Sequence, residues 1–281
     1  MRISRLLTTV VFGATCSIVA QANAQLENKT ALAYDFASQK RNAAACFALK
    51  VQVTQVNSVA KYVTELQANT YDLVILEIGN PFYYIPAAEK PVLIGLFEQH
   101  LAGGGALLVN YPDLDSWPEL AELCGAVVTK DRGQNQGSVG PATPYHPAWL
   151  FSVVSVFPNQ TLWPDHGDDL EPALTSEVVA IWDDSLAACA VSHADEKRIV
   201  NGFDWDQYDS GPALTRAQLN IRYLIGCRAD LNFDGQLTVD DFFEFQNLFS
   251  NKHPFANMCF DDFFDVFDFL EFFNKFIGGC D

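Results

Sequence analysis

The chain is short of basic side chains: it has 17 Lys and Arg against 35 Asp and Glu, a formal net charge of −18. A protein that coats nucleic acid needs the opposite balance, because lysine and arginine make its phosphate contacts. No nucleic-acid partner is therefore expected. Charged residues make up only 19% of the chain and hydrophobic residues 49%, which is enough for a full core and excludes wholesale disorder.

Long apolar runs are also scarce. The one near the N-terminus, Leu6–Ala20, follows Arg2 and Arg5 and precedes Ala22-Asn23-Ala24, the pattern of a secretory signal with its cleavage site. We expect residues 1–24 to be removed and the protein to be exported, extracellular or at the cell surface, with no membrane span after cleavage. An uncleaved anchor is the alternative, but the run is short and contains Thr, Ser and Gly.

Cys-x-x-Cys is missing too, which leaves a thioredoxin-like or zinc-ribbon interpretation without support. After cleavage six cysteines remain, which allow fifteen pairings that spacing alone cannot separate. We expect a bridge between Cys227 and Cys280, because a small C-terminal module needs a staple or a metal. The six are Cys46, Cys124, Cys189, Cys227, Cys259 and Cys280.

From residue 25 to 226 apolar runs of strand length alternate with segments of helical spacing, which predicts an α/β domain with three layers and a parallel sheet. The predicted strands are Thr30–Tyr34, Val51–Val56, Tyr71–Ile78, Ala106–Asn110 and Val178–Trp182, with a hairpin of Ala187–Ser192 and Arg198–Phe203. The predicted helices are Ser58–Leu66, Glu89–Leu101, Trp117–Cys124 and Thr215–Ile225.

The segments YDLVILEIGNP, LAGGGALLVNYPDLDSWPELAELCGA, RIVNGF and RAQLNIRYLIG, taken in this order, resemble class I glutamine amidotransferase-like domains of flavodoxin-like topology. The resemblance covers residues 28–226. In active members of that family a cysteine follows a central strand and a His-x-Glu pair follows a late strand. Here Tyr111 and Asp204-Trp205-Asp206 stand at those places, so the resemblance implies the fold without the amidotransferase activity.

Two other groups are catalytic candidates. His193 with Asp195 and Glu196 could be a displaced base and acid, although the pattern puts them in a hairpin turn, where polar residues are ordinarily solvated. Cys124 ends a predicted helix, where a buried or bridged cysteine is the simpler interpretation.

The region 131–171 is rich in Pro and Gly and predicts a long irregular insertion near the carboxyl ends of the strands. An extracellular hydrolase could build its site there from Asp165, His166 and Asp168, or the run Asp165–Glu171 could ligate a metal. We expect an acidic surface loop for this run, because it has no second histidine at a fixed spacing.

The most specific motif runs from Asp230 to Asp241. Oxygen donors at positions 1, 3 and 5 followed by glycine at position 6 are what a hard cation needs, and a flexible oxygen-rich loop prefers Ca²⁺ to Mg²⁺. The predicted calcium ligands are Asp230, Asn232, Asp234, Gln236 through its carbonyl, Thr238 through water, and Asp241.

A shift of 27 residues aligns Asp241-Phe-Phe-Glu-Phe with Asp268-Phe-Leu-Glu-Phe, so the loop-helix unit is duplicated. The second loop is degenerate, because Cys259 and Asp262 replace the position-3 oxygen donor and the position-6 glycine. We expect weak or no calcium binding by its remaining donors Asn257, Asp261, Asp265 and Asp268.

Two loop-helix units with Asp at position 12, and the Phe-rich tail ending in Gly-Gly-Cys-Asp, resemble GC-type dockerin-like modules of secreted bacterial proteins, which are small, all-α and EF-hand-like. The resemblance covers residues 227–281 and implies docking to a cohesin-like or other cell-surface scaffold protein. Fourteen of the 22 Phe lie here, and their apolar faces either meet a partner or pack internally.

The sequence thus favours an exported, non-catalytic binding protein with a calcium-organised docking tail. The extracellular hydrolase of the 131–171 insertion is the alternative from another class, and a structural surface protein is the third.

Overall fold

The structure is a computed structural model that describes residues 26–35, 40–79, 85–132, 137–142, 146, 148, 167–205, 208, 210–232, 236–253, 256–259 and 263–279. The predicted signal segment, residues 1–24, lies outside this part. The chain divides into two compact units, residues 29–225 and residues 226–281, the latter grouped with 1–28. Within the described residues, no helix is both long enough and apolar enough to cross a bilayer.

The first unit is a mixed α/β fold built on one ten-stranded sheet. Its strands are β1 Thr30–Asp35, β2 Gln52–Val56, β3 Leu73–Glu77, β4 Ala106–Asn110, β5 Ala126–Asp131, β6 Val139–Pro141, β7 Asp168–Pro172, β8 Glu177–Trp182, β9 Ala188–Ser192 and β10 Arg198–Asn201. Its helices are α1 Arg41–Ala48, α2 Val59–Ala68, α3 Lys90–Ala102, α4 Pro118–Leu123 and α5 Ser210–Ile225.

The sheet has a parallel part and an antiparallel part. Strands β2, β1, β3, β4 and β10 pair in parallel in that order, and β9, β7 and β5 continue the sheet in antiparallel pairs. Strands β8 and β6 add to β9. The parallel sheet of the sequence prediction is therefore confirmed for its central strands.

Helices cover both faces of the parallel part. One core cluster joins alternate residues of β1, β3, β4 and β10 to Tyr62 of α2, Phe97 of α3 and Leu120 of α4. Helices α1 and α5 pack against each other and against β1, β4 and β10, and none of their residues belongs to that cluster. Because successive residues of a strand point to opposite faces, strands buried on both sides are apolar throughout, as β3 and β4 are up to their last residues.

Several predicted boundaries moved, and four elements were missed. Helix α5 starts at Ser210 instead of Thr215, and β10 ends at Asn201 instead of Phe203. Helix α1 and strands β5, β6 and β7 had no sequence prediction. Helix α1 is a short Ala-rich segment, β5 is only partly apolar, and β6 and β7 are short strands within the region predicted to be irregular.

In its described residues the C-terminal unit has two helices, α6 Val239–Ser250 and α7 Val266–Gly278. Each begins with a capping box in which the N-cap residue and the third helical residue bond to each other's backbone N–H. The rings of Phe245 and Phe272 stack at 4.1 Å between centroids and are fully buried, so they form the core between the helices. Leu237 beneath the first loop is also buried.

Candidate ligand-binding edge and candidate calcium loop

Four polar residues end the central strands at one edge of the sheet. Asp35, Glu77, Asn110 and Asn201 are the last residues of β1, β3, β4 and β10. In the register, Asp35 pairs with Glu77, Glu77 with Asn110, and Asn110 with Asn201. The four are buried and form one row of direct neighbours. The carboxyl edge of a parallel sheet is where open α/β folds bind ligands.

The amide half of this row is a hydrogen-bonded network. Asn201 Nδ2 donates to Asn110 Oδ1 at 2.5 Å and to Asn220 Oδ1, on α5, at 3.0 Å. Asn220 Nδ2 in turn donates to the carbonyl of Ala148 at 2.9 Å. The network therefore joins the sheet edge to α5 and fixes the orientation of the amides.

The carboxylate half is held by α1. Asn42 Nδ2 donates to Glu77 Oε2 at 2.5 Å. Within the described residues three buried amide atoms have no hydrogen-bond partner: Asn42 Oδ1, Asn110 Nδ2 and Asn201 Oδ1. A buried amide atom left unpaired costs about 1–3 kcal/mol. Two of these atoms are acceptors and one is a donor.

A third carboxylate reaches the same edge. Asp204, at the place where the resemblance would have a histidine, is buried. A Cβ built on Gly79 would lie only 2.1 Å from Asp204 Oδ2, so the carboxylate lies against the backbone two residues beyond Glu77. Sequence analysis did not identify Asp35, Glu77, Asn110 or Asn201. The sequence feature that could have identified these four residues is the polar residue that ends each apolar strand.

The turn after β4 holds no activated nucleophile. Tyr111 is buried, and its phenol lies 3.3 Å from Asp113 Oδ2 and 3.3 Å from Ser116 Oγ. A carboxylate with a reference pKa near 4 is too weak a base to deprotonate a phenol with a reference pKa near 10.

The thiols of this unit are not activated either. Burial raises the pKa of Cys124 to about 12. Burial, with a smaller contribution from Asp35, raises the pKa of Cys46 to about 12, and burial also raises the pKa of Cys189 well above its usual value. All three are free and protonated at neutral pH, and Cys124 is buried, as expected.

His193 lies in the turn between β9 and β10, as predicted. Its Nδ1 accepts from the backbone N–H of Asp195 at 3.1 Å, and the Asp195 carboxylate pairs with Arg198. Burial opposes ionisation of Asp195, but the bonds from Arg198 and the Lys197 backbone outweigh it and lower its pKa. These contacts make the group a turn-stabilising cluster.

The hydrolase candidate of the insertion is only partly described, because Asp165 and His166 lie outside the described residues. Asp168 is in β7, fully buried, and its Oδ2 accepts from the Leu114 N–H at 2.7 Å. Asp169 is buried beside Arg132, with Arg132 Nη1 at 3.0 Å from Asp169 Oδ1. The interpretation of these two residues as part of an exposed acidic loop was therefore wrong, because a backbone donor and a guanidinium compensate their carboxylates.

A buried Ser–His contact that the sequence did not suggest joins His146 to Ser192. His146 Nε2 lies 3.2 Å from Ser192 Oγ, while Nδ1 accepts the N–H of Ala148 at 3.1 Å. With Nδ1 accepting, neutral histidine carries its proton on Nε2 and donates to the serine. A general base must do the reverse, so this tautomer does not activate Ser192.

The candidate calcium loop is organised by Asp241. Its Oδ1 accepts the N–H of Leu231 at 2.9 Å and of Asn232 at 3.2 Å, and its Oδ2 accepts the N–H of Thr238 at 2.8 Å. Asp230 is buried as well. Asp234 lies outside the described residues, while Asn232 and Gln236 are described at the two sides of that gap.

The second loop repeats this arrangement at the same 27-residue interval. Asp268 Oδ1 accepts the N–H of Cys259 at 3.0 Å, and Oδ2 accepts the N–H of Asp265 at 3.0 Å. These bonds correspond to those of Asp241 with Asn232 and Thr238. Asn257 is described, Asp261 lies outside the described residues, and Cys259 is exposed and not in a disulfide.

The first loop suits a hard cation through the chemistry of its donors. Asp241 is a carboxylate at position 12 of the motif, where the calcium loop needs an oxygen donor, and its oxygens accept bonds from the loop backbone and from Thr238. Asp230 adds a buried carboxylate. In the described part of the chain there is no group of three His, Cys, Asp or Glu that could hold a metal, and the third carboxylate of the motif, Asp234, is not in that part.

The cysteines separate by unit. The three cysteines described in the α/β unit are free, whereas Cys227 is disulfide-bonded. The expected partner, Cys280, lies outside the described residues, so their pairing stays a prediction. A bridge between them closes a loop of about 50 residues, worth on the order of 4 kcal/mol in the chain-entropy model.

Non-reducing peptide mapping should therefore recover the Cys227 and Cys280 peptides as one linked species that separates on reduction. A free Cys280, or Cys280 linked to any other cysteine, would contradict the prediction.

Comparison with known proteins gives similarity of structure only. No protein-family model matches the chain, and no curated protein matches it significantly. Among solved structures, a glutamine amidotransferase from Thermotoga maritima has 14% identity and a TM-score of 0.44, covering 88% of this chain and 96% of its own. One from Methylobacillus flagellatus has 12% identity and a TM-score of 0.44, covering 71% and 94%. A cytoplasmic protein from Salmonella typhimurium has 10% identity and a TM-score of 0.44, covering 69% and 98%.

Proposed function

We propose that the protein is an exported, non-catalytic binding protein whose α/β unit takes a small polar ligand at the carboxyl edge of its sheet. The observation that carries this proposal is the buried row Asp35, Glu77, Asn110 and Asn201. The row offers carboxylates and amides, which can orient a ligand by hydrogen bonds, and it contains no thiol or hydroxyl group. The raised thiol pKa values and the poor base beside Tyr111 support the same conclusion.

The C-terminal unit is, in this proposal, a dockerin-like module that binds one calcium ion and attaches the protein to a cell-surface scaffold. Asp230, Asn232, Asp234, Gln236 and Asp241 would hold the ion, with Thr238 acting through water. A bound cation would draw these donors together and stabilise the loop. The second loop stays without tight calcium, because Cys259 replaces the position-3 oxygen donor and Asp262 replaces the position-6 glycine.

Binding without turnover is the expected result for the α/β unit. The chain without residues 1–24 is mixed with L-glutamine, urea, ammonium and D-glucose, and both ammonia release and the melting temperature are measured. We expect no ammonia above a buffer blank, with or without calcium, because Tyr111 and Asp204 stand where the resemblance would have a cysteine and a histidine. We expect at least one probe to raise the melting temperature, because a ligand that binds only the folded state stabilises it.

Two variants make this test specific. Asn110→Leu removes a buried donor of the edge, so this variant should lose the ligand-induced rise in melting temperature. Asn69→Leu changes an exposed asparagine and should keep that rise. Steady ammonia release that is abolished by changing His193 or Cys124 would show a catalytic site and end the proposal. So would a rise in melting temperature that Asn110→Leu leaves intact.

A further inference from the structure

A chain of hydrogen bonds joins a buried histidine to the ligand-binding edge. His146 Nδ1 accepts the backbone N–H of Ala148 at 3.1 Å. The carbonyl of the same Ala148 accepts from Asn220 Nδ2 at 2.9 Å, and Asn220 Oδ1 accepts from Asn201 Nδ2 at 3.0 Å. Asn201, in the edge itself, also donates to Asn110. His146 is 6% exposed and the other four residues are fully buried. The placement of the edge amides therefore depends on where Ala148 is held.

The bond from Ala148 requires a neutral histidine. With Nδ1 accepting, the neutral ring carries its proton on Nε2, which lies 3.2 Å from Ser192 Oγ. A second proton has to go to Nδ1, where it would point at the Ala148 N–H, and two donors cannot bond to each other. The second proton would also place a charge in a buried position, which desolvation opposes. Protonation of His146 therefore breaks the bond that holds Ala148.

The groups packed around the ring do not remove this conflict. Among the described residues they are Glu177 of β8, Ser192 of β9 and Tyr223 of α5. Glu177 Oε2 lies 3.7 Å from Nε2, so it is on the side of the ring away from the Ala148 bond, and its side chain is 57% exposed, so water screens its attraction for a charged ring. Tyr223 is a phenol, a group with a reference pKa near 10 that stays neutral where histidine titrates.

We propose that His146 is a positioning residue for the ligand-binding edge and makes binding there depend on pH. In its neutral form the ring holds Ala148, Ala148 holds Asn220, and Asn220 fixes the amide of Asn201. When the ring takes a second proton, Ala148 is released and the edge amides lose their fixed orientation, so the ligand binds more weakly in acid. The inference rests on the proposed function of the edge and adds a regulation to it.

The sign of the effect on stability follows from where the proton binds. In the unfolded chain His146 takes a proton near the histidine reference pKa of about 6.5, whereas the folded arrangement keeps the ring neutral. The unfolded state binds more protons in acid, so this contribution to stability is present above about pH 6.5 and is lost as the pH falls below it. From about pH 7.5 to about pH 5 the folding equilibrium constant should fall on the order of thirtyfold through this group.

His146→Asn separates the holding of Ala148 from the uptake of a proton. Asparagine can accept the N–H of the residue two positions later, as in an Asx turn, but it does not titrate in this range. Urea denaturation of the chain without residues 1–24, at both pH values, should show a smaller fall in midpoint for the variant than for the wild type. Burial lowers the pKa of His100, so acid also weakens both proteins through that residue, and the difference between them isolates His146.

His193 supplies the matched control. Its Nδ1 also accepts a backbone N–H two residues later, that of Asp195, at 3.1 Å. It lies in the turn between β9 and β10 and is not a member of the chain of bonds to the edge. His193→Asn should therefore keep the wild-type fall in midpoint. A loss of that fall in His193→Asn but not in His146→Asn would assign the pH dependence to the turn and overturn the inference.

The NMR resonances of the Asn220 side-chain amide report the edge without any ligand. In the wild type they should shift between the two pH values with the same midpoint as the ring protons of His146, and in His146→Asn they should stay in place. Resonances that do not move in the wild type, or that move equally in the variant, would overturn the inference. If the variant does not fold, the wild-type titration decides, because different midpoints for Asn220 and His146 would also overturn it.

Binding at the edge is tested with L-glutamine, urea, ammonium and D-glucose at the same two pH values. A probe that raises the wild-type melting temperature at the higher pH should raise it less at the lower pH, and the difference should vanish in His146→Asn. An equal rise at both pH values in the wild type would contradict the inference. If none of the probes raises the melting temperature, the proposed function fails, while the Asn220 titration still tests His146.

Discussion

Replacing Asp230 with alanine should abolish the rise in melting temperature that calcium gives the wild-type chain. Asp230 is a buried carboxylate at position 1 of the loop, and its loss removes both a ligand and the charge that attracts the ion. Calcium at a thousand times its dissociation constant stabilises a folded protein by about 4 kcal/mol, so the difference between the two proteins is large. Scanning calorimetry in calcium and in chelator measures it.

The matched control is Asp240→Ala. Asp240 is an exposed acid in the first turn of α6, close to the loop but not a predicted ligand, so its variant should keep the calcium-dependent rise. An Asp230→Ala protein that still gains stability from calcium would show that the ion binds elsewhere.

Replacing Gly125 with alanine should destabilise the α/β unit far more than the same change at Gly104. Both glycines have positive φ, +80° and +88°. A Cβ at Gly125 would lie 2.2 Å from Ser176 Oγ and 2.7 Å from His193 Cδ2, whereas at Gly104 it would meet nothing within 4 Å. Gly104→Ala should therefore lower the free energy of unfolding only by the cost of placing alanine in the left-handed region, about 1 kcal/mol.

Gly125→Ala adds a steric clash within a packed region, so its total loss in the free energy of unfolding should be about 3 kcal/mol or more. Urea denaturation followed by tryptophan fluorescence reports both values, since the midpoint falls with stability. Equal losses for the two variants would mean that the contacts around Gly125 are not as tight as the structure has them.

The local elements of the fold could be predicted from the sequence. Strand β4 has the predicted bounds, and α2 begins after Ser58, whose side chain caps it. Both signals are contained in a few consecutive residues, an apolar run in one case and a capping serine in the other. Strand β7 could not be predicted, because its two aspartates resemble a loop until Leu114 and Arg132 are brought beside them.

The candidate ligand edge depends on the register of the sheet. Asp35, Glu77, Asn110 and Asn201 are separated by dozens of residues and become neighbours only when four strands pair with their last residues aligned. A sequence shows that each strand ends on a polar residue. It does not show that the four ends meet, or that α1, which had no prediction, brings Asn42 to Glu77.

In the C-terminal unit the calcium-loop motif can be read from neighbouring residues, whereas the packing of the phenylalanines depends on residues distant in the sequence. The spacing of oxygen donors from Asp230 to Asp241 is visible in twelve consecutive positions of the EF-hand pattern. Which phenylalanines are buried depends on how α6 pairs with α7. Phe245 and Phe272 face each other, while Phe243 and Phe273 remain exposed, so the aromatic residues do not all pack internally.

Isothermal titration with calcium tests the central claim, a single calcium-organised loop, most directly. The protein titrated is the chain lacking residues 1–24, from which bound metal has been removed. The account predicts one tight site per chain, because the first loop keeps its oxygen donors and its glycine, whereas the second has Cys259 in a donor position and Asp262 in place of the glycine. Two equivalent sites, or no heat of binding, would contradict it.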